Sequence, residues 1–405
     1  MIYMVEENDV RPRIVVVGVG GAGTNAIDNM DASGLKGVEF VAMNTDLQSL
    51  CTCRTEQTLH LGEKVTHGLG TGANPLLGEQ AAEEDRALLA ETLEGADLVF
   101  VTCGLGGGTG TGASPVIADV AKELGALTVA ICTKPFDFEG KVKRRIAERG
   151  QRDLRDKVDT LITIPNQRLL NLVEESTTLL ESFKIADSML LQCVQSIADL
   201  IIKPGKINAD FSDIRAIMAQ QGGAVMGVGH GDGADRAMLA FQQASSNPLM
   251  EEIVIEGAKG ILINVTTGYD VTLHELNRAI EEQIHPKADP DANIIFGVVL
   301  EESLESRMQV TVLATGFDRD YTDQELGEDS DRDARPYSGE ETGFDRPAYL
   351  TKRTEPNRQY EEEQADQDEA ATLAEQGGPI LEPRRGRAIS SRSEVLPAIF
   401  GGKRS

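Results

Sequence analysis

The chain reads as an α/β protein: a domain with a parallel sheet, a long connecting helix, a smaller second α/β domain and a disordered tail. Three observations carry that reading. From residue 13 to about 175, short apolar runs alternate with helical patterns and glycine turns, which is the signature of a parallel sheet. Two glycine boxes each lie between an apolar run and a helical pattern, where bare backbone can turn its N–H groups toward an anion. Beyond residue 318 the composition turns acidic and poor in large apolar side chains, too poor to fold alone.

Taken in order, Arg13–Val17 is a buried-strand pattern, and Gly18–Gly23 follows as G-x-G-x-x-G before Thr24-Asn25-Ala26-Ile27 opens a helix. Alone this is a weak dinucleotide fingerprint. A second strand, Val38–Met43, closes on Asn44-Thr45-Asp46, so an acidic residue for a ribose is not excluded. Residues 97–103 form a third strand and run into Gly106-Gly107-Gly108-Thr109-Gly110-Thr111-Gly112, a second box that a dinucleotide enzyme lacks. The pattern Ala113–Leu124 is an amphipathic helix whose N-terminus adds partial positive charge at the same point. No Walker lysine follows either box, which disfavours an ordinary P-loop enzyme. Further strands are expected at 127–133 and 160–164. Thr178–Leu200 has apolar residues at helical spacing, its Met and Leu positions reading as core, and Lys203-Pro204-Gly205 ends it. Residues 222–317 carry the second unit, with strands near 261–266, 293–300 and 308–315.

Composition narrows the classes. Forty per cent of the 405 residues are apolar, and no run of eighteen uninterrupted apolar positions occurs, so no membrane span is expected. Residues 1–11 are too acidic for a secretory signal. The five cysteines carry no metal-ligand spacing: Cys103 and Cys132 fall in strands as small core residues, and Cys51-Thr52-Cys53 has no partner pair. A reducing cytoplasm follows. The net charge of −27 argues against a nucleic-acid partner. Between Asp320 and Pro383, 19 acidic residues face 6 basic ones. From Arg384 the sign reverses, and the chain ends in the apolar cluster Val395–Phe400 before Lys403-Arg404, the pattern of a docking peptide.

The boxes GVGGAGTNA and GGGTGTG, with Asn44-Thr45-Asp46 and Gly70–Pro75, resemble the FtsZ family. Thr133–Gly140, Ile164–Leu169 and Asn208–Asp213 match the same family in the same order. These are tubulin relatives that polymerise with GTP to build the prokaryotic division ring. The resemblance runs from about Arg13 to Asp318. It implies an extension at 1–12, a GTP-binding domain at 13–177 and a central helix at 178–202. A catalytic loop and helix follow at 203–221, then a C-terminal α/β domain at 222–318, an acidic linker at 319–383 and a docking peptide at 384–405.

The site residues follow from the same resemblance. Gly20, Gly21, Ala22, Gly23, Thr24 and Asn25, with Gly104, Gly106, Gly107, Gly108, Thr109, Gly110, Thr111 and Gly112, would hold phosphates through backbone N–H groups, the Thr109 and Thr111 hydroxyls adding donors. Asn44, Gly72, Ala73 and Asn74 would shape loops beside them. Glu139 would hydrogen-bond the ribose region and Pro135 would belong to the same nucleotide site, with Lys143 in place of the family's usual arginine and Arg144 next to it, so either cation is open to contact the nucleotide. Asn166 and Asp187 would read guanine, an amide and a carboxylate suited to its N1–H and amine, and Phe183 would stack on the base. Asn208, Asp210 and Asp213 would serve hydrolysis in the site of the next subunit, although spacing alone reads them as an ordinary helix cap. Mg2+ is expected with GTP. The expected partners are further copies of the chain, head to tail, and membrane-anchoring or regulatory division proteins at the C-terminal peptide. Two other classes remain: a nicotinamide oxidoreductase from the first box, and a polymerising scaffold with slow turnover. The main ring protein and a specialised paralogue are not separated by these residues.

Overall fold

The first strand, β1 (Ile14–Val19), is buried on both faces, as a central parallel strand must be: Val15, Val17 and Val19 join one apolar core while Ile14 and Val16 join the other. The computed structural model describes residues 12–170, 176–203, 210–219, 222–246 and 257–317. The expected acidic linker and docking peptide, nearly all of the N-terminal extension, and Asn208 lie outside the described residues.

From β1 the chain continues through α1 (Gly20–Ala32), β2 (Glu39–Asn44), α2 (Leu47–Thr52), β3 (Gln57–His60), α3 (Glu63–Thr66), α4 (Pro75–Glu84) and α5 (Arg86–Leu93). Next come β4 (Leu98–Gly104), α6 (Thr109–Glu123), β5 (Leu127–Lys134), α7 (Lys141–Arg155), β6 (Thr160–Pro165) and α8 (Asn166–Leu169). The second half holds α9 (Leu179–Ile202), α10 (Phe211–Met218), β7 (Gly222–Asp232), α11 (Arg236–Ser245), β8 (Gly260–Thr267), α12 (Leu273–Gln283), β9 (Asn293–Leu300) and β10 (Arg307–Thr315). The strands form one sheet in the order β3-β2-β1-β4-β5-β6-β7-β10-β8-β9. It is parallel from β3 to β7, antiparallel on both sides of β10, and parallel again between β8 and β9.

The two halves share a strand. Gly222–Ala224 of β7 pairs with β6, and the rest of β7 pairs with β10. The sequence pattern had no strand here, because five of its eleven residues are glycine. The reason is α11: a Cβ at Gly229 would lie 1.9 Å from the Ala240 carbonyl oxygen, and one at Gly231 equally close to that of Arg236. The short polar β3 was likewise not expected.

The helix after the second glycine box begins at Thr109, four residues earlier than its apolar period indicates. Its glycines are packing devices as well: a Cβ at Gly110 would meet the Gly104 carbonyl at 2.6 Å, and one at Gly112 the Pro75 carbonyl at 1.9 Å. The central helix α9 buries Leu190, Cys193, Val194, Ile197 and Ala198 along one stripe, as its period predicts. Its 24 residues extend about 36 Å. By length and composition part of it, Glu181–Ile202, is apolar enough to cross a membrane, but half of that stretch is buried in the fold, as befits a core helix. Cys103 and Cys132 are fully buried neighbours on β4 and β5.

Candidate nucleotide site

In a parallel sheet the loops at the carboxyl ends of the strands open onto one crevice. Here those ends deliver Gly20 after β1, Asn44 at the end of β2, Gly104 at the end of β4, Pro135 after β5 and Asn166 after β6. The strand registers place them along one edge.

The two glycine boxes interlock there. A Cβ at Gly20 would lie 2.9 Å from the Gly110 nitrogen, one at Gly23 2.4 Å from the Thr102 carbonyl, and one at Gly104 2.6 Å from Ala22 Cβ. The N-termini of α1 and α6 are thereby pressed side by side, and their unpaired N–H groups and dipoles favour an anion at one place. Gly20 and Gly106 adopt φ of 69° and 98°, which favours glycine. Gly21 and Gly107 differ from the rest. A Cβ at either meets nothing within 4 Å, and neither has a positive φ, so neither packing nor backbone strain explains them. They leave open a cradle that a side chain would fill, as a closely approaching phosphate requires.

Not every expected donor is available. The Gly106 N–H donates to the Thr111 hydroxyl at 2.9 Å, and the Gly112 N–H donates to the Gly108 carbonyl at 2.9 Å. These two amides, together with the Thr111 oxygen, are spent on loop shape. The Thr109 hydroxyl is likewise engaged, 2.6 Å from that of Thr45 and 3.4 Å from that of Thr71, and all three residues are buried. The amides left to face an anion are those of Gly107, Gly108 and the first turn of α6, and of Gly20–Gly23 of α1. The Thr24 hydroxyl donates to the Gly21 carbonyl, and Asn25 stays exposed.

Neighbouring loops carry the other residues expected at the site. Asn44 is buried and its Oδ1 accepts from the Thr45 and Asp46 amides at 2.9 and 3.3 Å. Asn74 caps α4, accepting from Leu76 N at 3.1 Å, and its loop holds Gly72 and Ala73 at positive φ. That loop abuts the second box, since a Cβ at Gly108 would strike Thr71 Oγ1 at 2.0 Å. Glu139 accepts from Phe136 N at 2.9 Å and pairs with Lys143 Nζ at 3.0 Å. Lys143 is thus held beside the glycine loop, its carbonyl against Gly106, whereas Arg144 is more exposed and reaches Asp137 only at 3.7 Å.

The residues expected to read the base are held by β6 and α9. Asn166 is buried, and its Oδ1 has no hydrogen-bond partner. A buried acceptor without a donor is costly in isolation, and a ligand N–H removes that cost. Asp187 is half-buried; burial pushes its carboxyl up to about 6 against the hydrogen bond it accepts from Asn29 Nδ2 at 2.9 Å. Phe183 is not core: it is 39% exposed and meets the buried Phe136 edge-on, with ring centroids 5.6 Å apart. Sequence reasoning missed Thr71 and Asn29. The latter lies one helical turn beyond Asn25 on the same face of α1, a spacing that would have revealed it.

Asp210 and Asp213 are elsewhere. Asp210 caps α10 and accepts from the Asp213 amide at 2.8 Å, and both are exposed. The helix they begin is fastened to the amino ends of the strands: Arg215 donates to the Gly125 carbonyl just before β5, and the Thr160 hydroxyl at the start of β6 donates to the Met218 carbonyl. The eight residues of β5 separate that edge from the glycine boxes by about 26 Å. Among the described residues no group of three or more His, Cys, Asp or Glu gathers to hold a metal.

Residues 13–174 match the Tubulin/FtsZ family, GTPase domain, and residues 222–318 match the FtsZ family, C-terminal domain. The cell division protein FtsZ of Caulobacter vibrioides is 51% identical over 310 residues, covering 76% of this chain and 61% of the relative. The chain thus spans about three-fifths of the length of the curated relatives it matches. Among solved structures, an empty FtsZ dimer from M. jannaschii matches with a TM-score of 0.72 at 41% identity, over 76% of this chain and 89% of that one. A GTPγS-bound protofilament of CetZ2 from Haloferax volcanii matches with a TM-score of 0.66 over 79% of this chain and 98% of that one; at 19% identity this shows a shared fold only.

Proposed function

The chain belongs to the FtsZ family, and from that membership we propose that it is a GTPase that assembles head to tail into filaments of the cell-division ring. Hydrolysis takes place at the contact between subunits. The supporting observation is the separation just described: the anion cradle and base-reading groups lie at the carboxyl ends of the strands, while Asp210 and Asp213 lie at the amino ends. One chain cannot bring its own carboxylates to its own phosphates, so a second copy must supply them. Contact between two different faces is heterologous and propagates as an open polymer.

Within the site, the N-termini of α1 and α6 take the phosphates, with Gly21 and Gly107 allowing the closest approach. Asn166 Oδ1 and the Asp187 carboxylate accept from the guanine edge, and Phe183 offers a face for the ring. Glu139 with Lys143 borders the ribose. The neighbour's Asp210 and Asp213 polarise the attacking water, with Asn208 orienting it. Among the described residues no acidic cluster would hold magnesium, so the ion would arrive with the nucleotide and would supply neutralisation of the developing charge. The reading extends to a place in the cytoplasm at the division site and to anchoring or regulatory division proteins that take the C-terminal peptide; residues 384–405 lie outside the described residues.

The test is GTPase rate per subunit against protein concentration, with sedimentation alongside. A sharp onset above a critical concentration, with GTP-dependent pelleting, is the expected result. Asp210→Asn keeps an oxygen that can cap α10, so it should fold and pellet normally while its turnover falls about a hundredfold. A rate per subunit that is unchanged on dilution, with no pellet, returns the first glycine box to a dinucleotide role.

A further inference from the structure

The first helix and the central helix meet at a polar pair beside the nucleotide site. α1 buries Ala26, Ile27 and Met30 in the same core as Leu190 and Val194 of α9, which brings the flanks of the two helices together. There Asn29 Nδ2 donates to Asp187 Oδ2 at 2.9 Å. Chemistry fixes the direction: an ionised carboxylate only accepts, so Asn29 must present its NH2 group. Asn29 is exposed and belongs to no apolar core, so packing does not account for it.

Burial acts on Asp187 in the opposite sense. It pushes the carboxyl up to about 6, and the Asn29 amide pulls against it. Other ionisable groups stand on the elements around this part of α9: Asp28 and Asp31 of α1, Lys134 at the end of β5, Asp137 in the loop beyond it, Arg168 of α8 and Lys184 one turn back on α9. None of these bears on the Asp187 carboxyl. Asp28, next to Asn29, is turned away and accepts from Cys53, Arg54 and Thr55. A single neutral amide therefore opposes the burial.

Whether Asp187 accepts or donates decides which purine it fits. A carboxylate takes the N1–H and exocyclic amine of guanine. Once protonated it offers an O–H instead, which suits the N1 acceptor of adenine. Asn166, buried with an unpartnered Oδ1, supplies a second acceptor but does not titrate.

We infer that Asn29 is a positioning residue for base selection: its amide fixes Asp187 as a hydrogen-bond acceptor, the role that guanine needs and adenine cannot use. The inference rests on the GTP reading of this site. Asn29 acts through Asp187 and is not itself a contact to the base.

The test measures Kd for GTP and for ATP at pH 6, 7 and 8, on the full-length chain below the concentration at which it pellets. The parent, Asn29→Ala, Asn29→Leu, Asp187→Asn and the double variant Asn29→Ala/Asp187→Asn are compared, with thermal unfolding alongside. Taking each variant's Kd relative to the parent cancels the titration of the phosphates. Both Asn29 variants should unfold within about 2 °C of the parent, the position being exposed. Their GTP Kd should be about threefold weaker at pH 8 and about fifteenfold weaker at pH 6. The extra loss arises because a missing hydrogen bond to the charged form raises the pH at which Asp187 takes up a proton by about one. The preference for GTP over ATP should narrow at pH 6 by at least the same factor. In the Asp187→Asn background, adding Asn29→Ala should change GTP Kd by less than about twofold at every pH. A loss that is equal at pH 6 and pH 8, or that persists in full without the Asp187 carboxylate, overturns the inference alone. A parent that prefers GTP over ATP by less than about tenfold at pH 8 overturns the assignment of Asp187 to guanine, and the inference with it.

Discussion

Two glycines of the second box have opposite reasons to be glycine, and substituting each with alanine separates them. At Gly107 an added methyl meets nothing in the protein. Gly107→Ala should stay within about 0.5 kcal/mol of the parent in urea unfolding yet bind GTP at least about tenfold more weakly, the methyl standing where phosphate approaches. At Gly112 the methyl collides with the Pro75 carbonyl. Gly112→Ala should cost about 1–3 kcal/mol of stability and leave the affinity of the folded fraction nearly intact. Asp187 gives a second residue-scale prediction. Its folded-state pKa, about 6, is above the ordinary carboxylate value. The folded chain thus binds a proton that the unfolded chain has released, so this group's contribution to stability falls as pH rises from about 4 to 6. In the proposed complex guanine donates to the carboxylate, which favours the ionised form. GTP affinity should therefore weaken as pH drops below about 6, approaching tenfold per pH unit. Calorimetry of Asp187→Asn alongside the parent isolates this slope from titration of the phosphates themselves. The buried, unpartnered oxygen of Asn166 was not legible in the local pattern, because burial there depends on where α9 crosses; only family resemblance proposed Asn166 and Asp187 as a base-reading pair.

Elements were legible where hydrophobic period decides them, and obscure where glycine does. The strands at β1, β2, β4, β5 and β6 begin and end within two residues of the apolar runs that predict them. By contrast β7 carries too little side chain to show alternation, since its glycines make room for α11. The first turn of α6 reads as a loop for the same reason: Gly110 and Gly112 weaken helix propensity, and close packing against β4 and α4 overrides it. The central helix was predicted nearly to its ends from its apolar stripe and the Lys203-Pro204-Gly205 break, and the structure adds a capping box at its start, Thr178 with Glu181. That box also has a functional side. Phe183 and Asp187 lie in the turns it organises, so Thr178→Ala should cost about 1 kcal/mol and weaken GTP binding by up to about fivefold. Thermal unfolding and calorimetry on the same sample check both.

For the molecule as a whole, charge and polarity set the conditions of assembly. A chain of net charge −27 repels its own copies, and the repulsion reaches about 10 Å at 0.1 M salt but only about 3 Å at 1 M. The critical concentration for pelleting should therefore fall severalfold between those concentrations of KCl; a rise would show that attraction between charged faces dominates instead.

The placement of cradle and carboxylates on opposite edges also fixes an arithmetic for any proposed filament. A dimer holds one complete site for two chains, a trimer two for three, and a strand of n chains always one fewer than n. Turnover per chain is consequently a measure of mean strand length before it is a measure of chemistry. One terminal chain keeps its nucleotide open to solvent and beyond any neighbour's attack, so that end alone can trade a spent nucleotide for a fresh one without first breaking a contact.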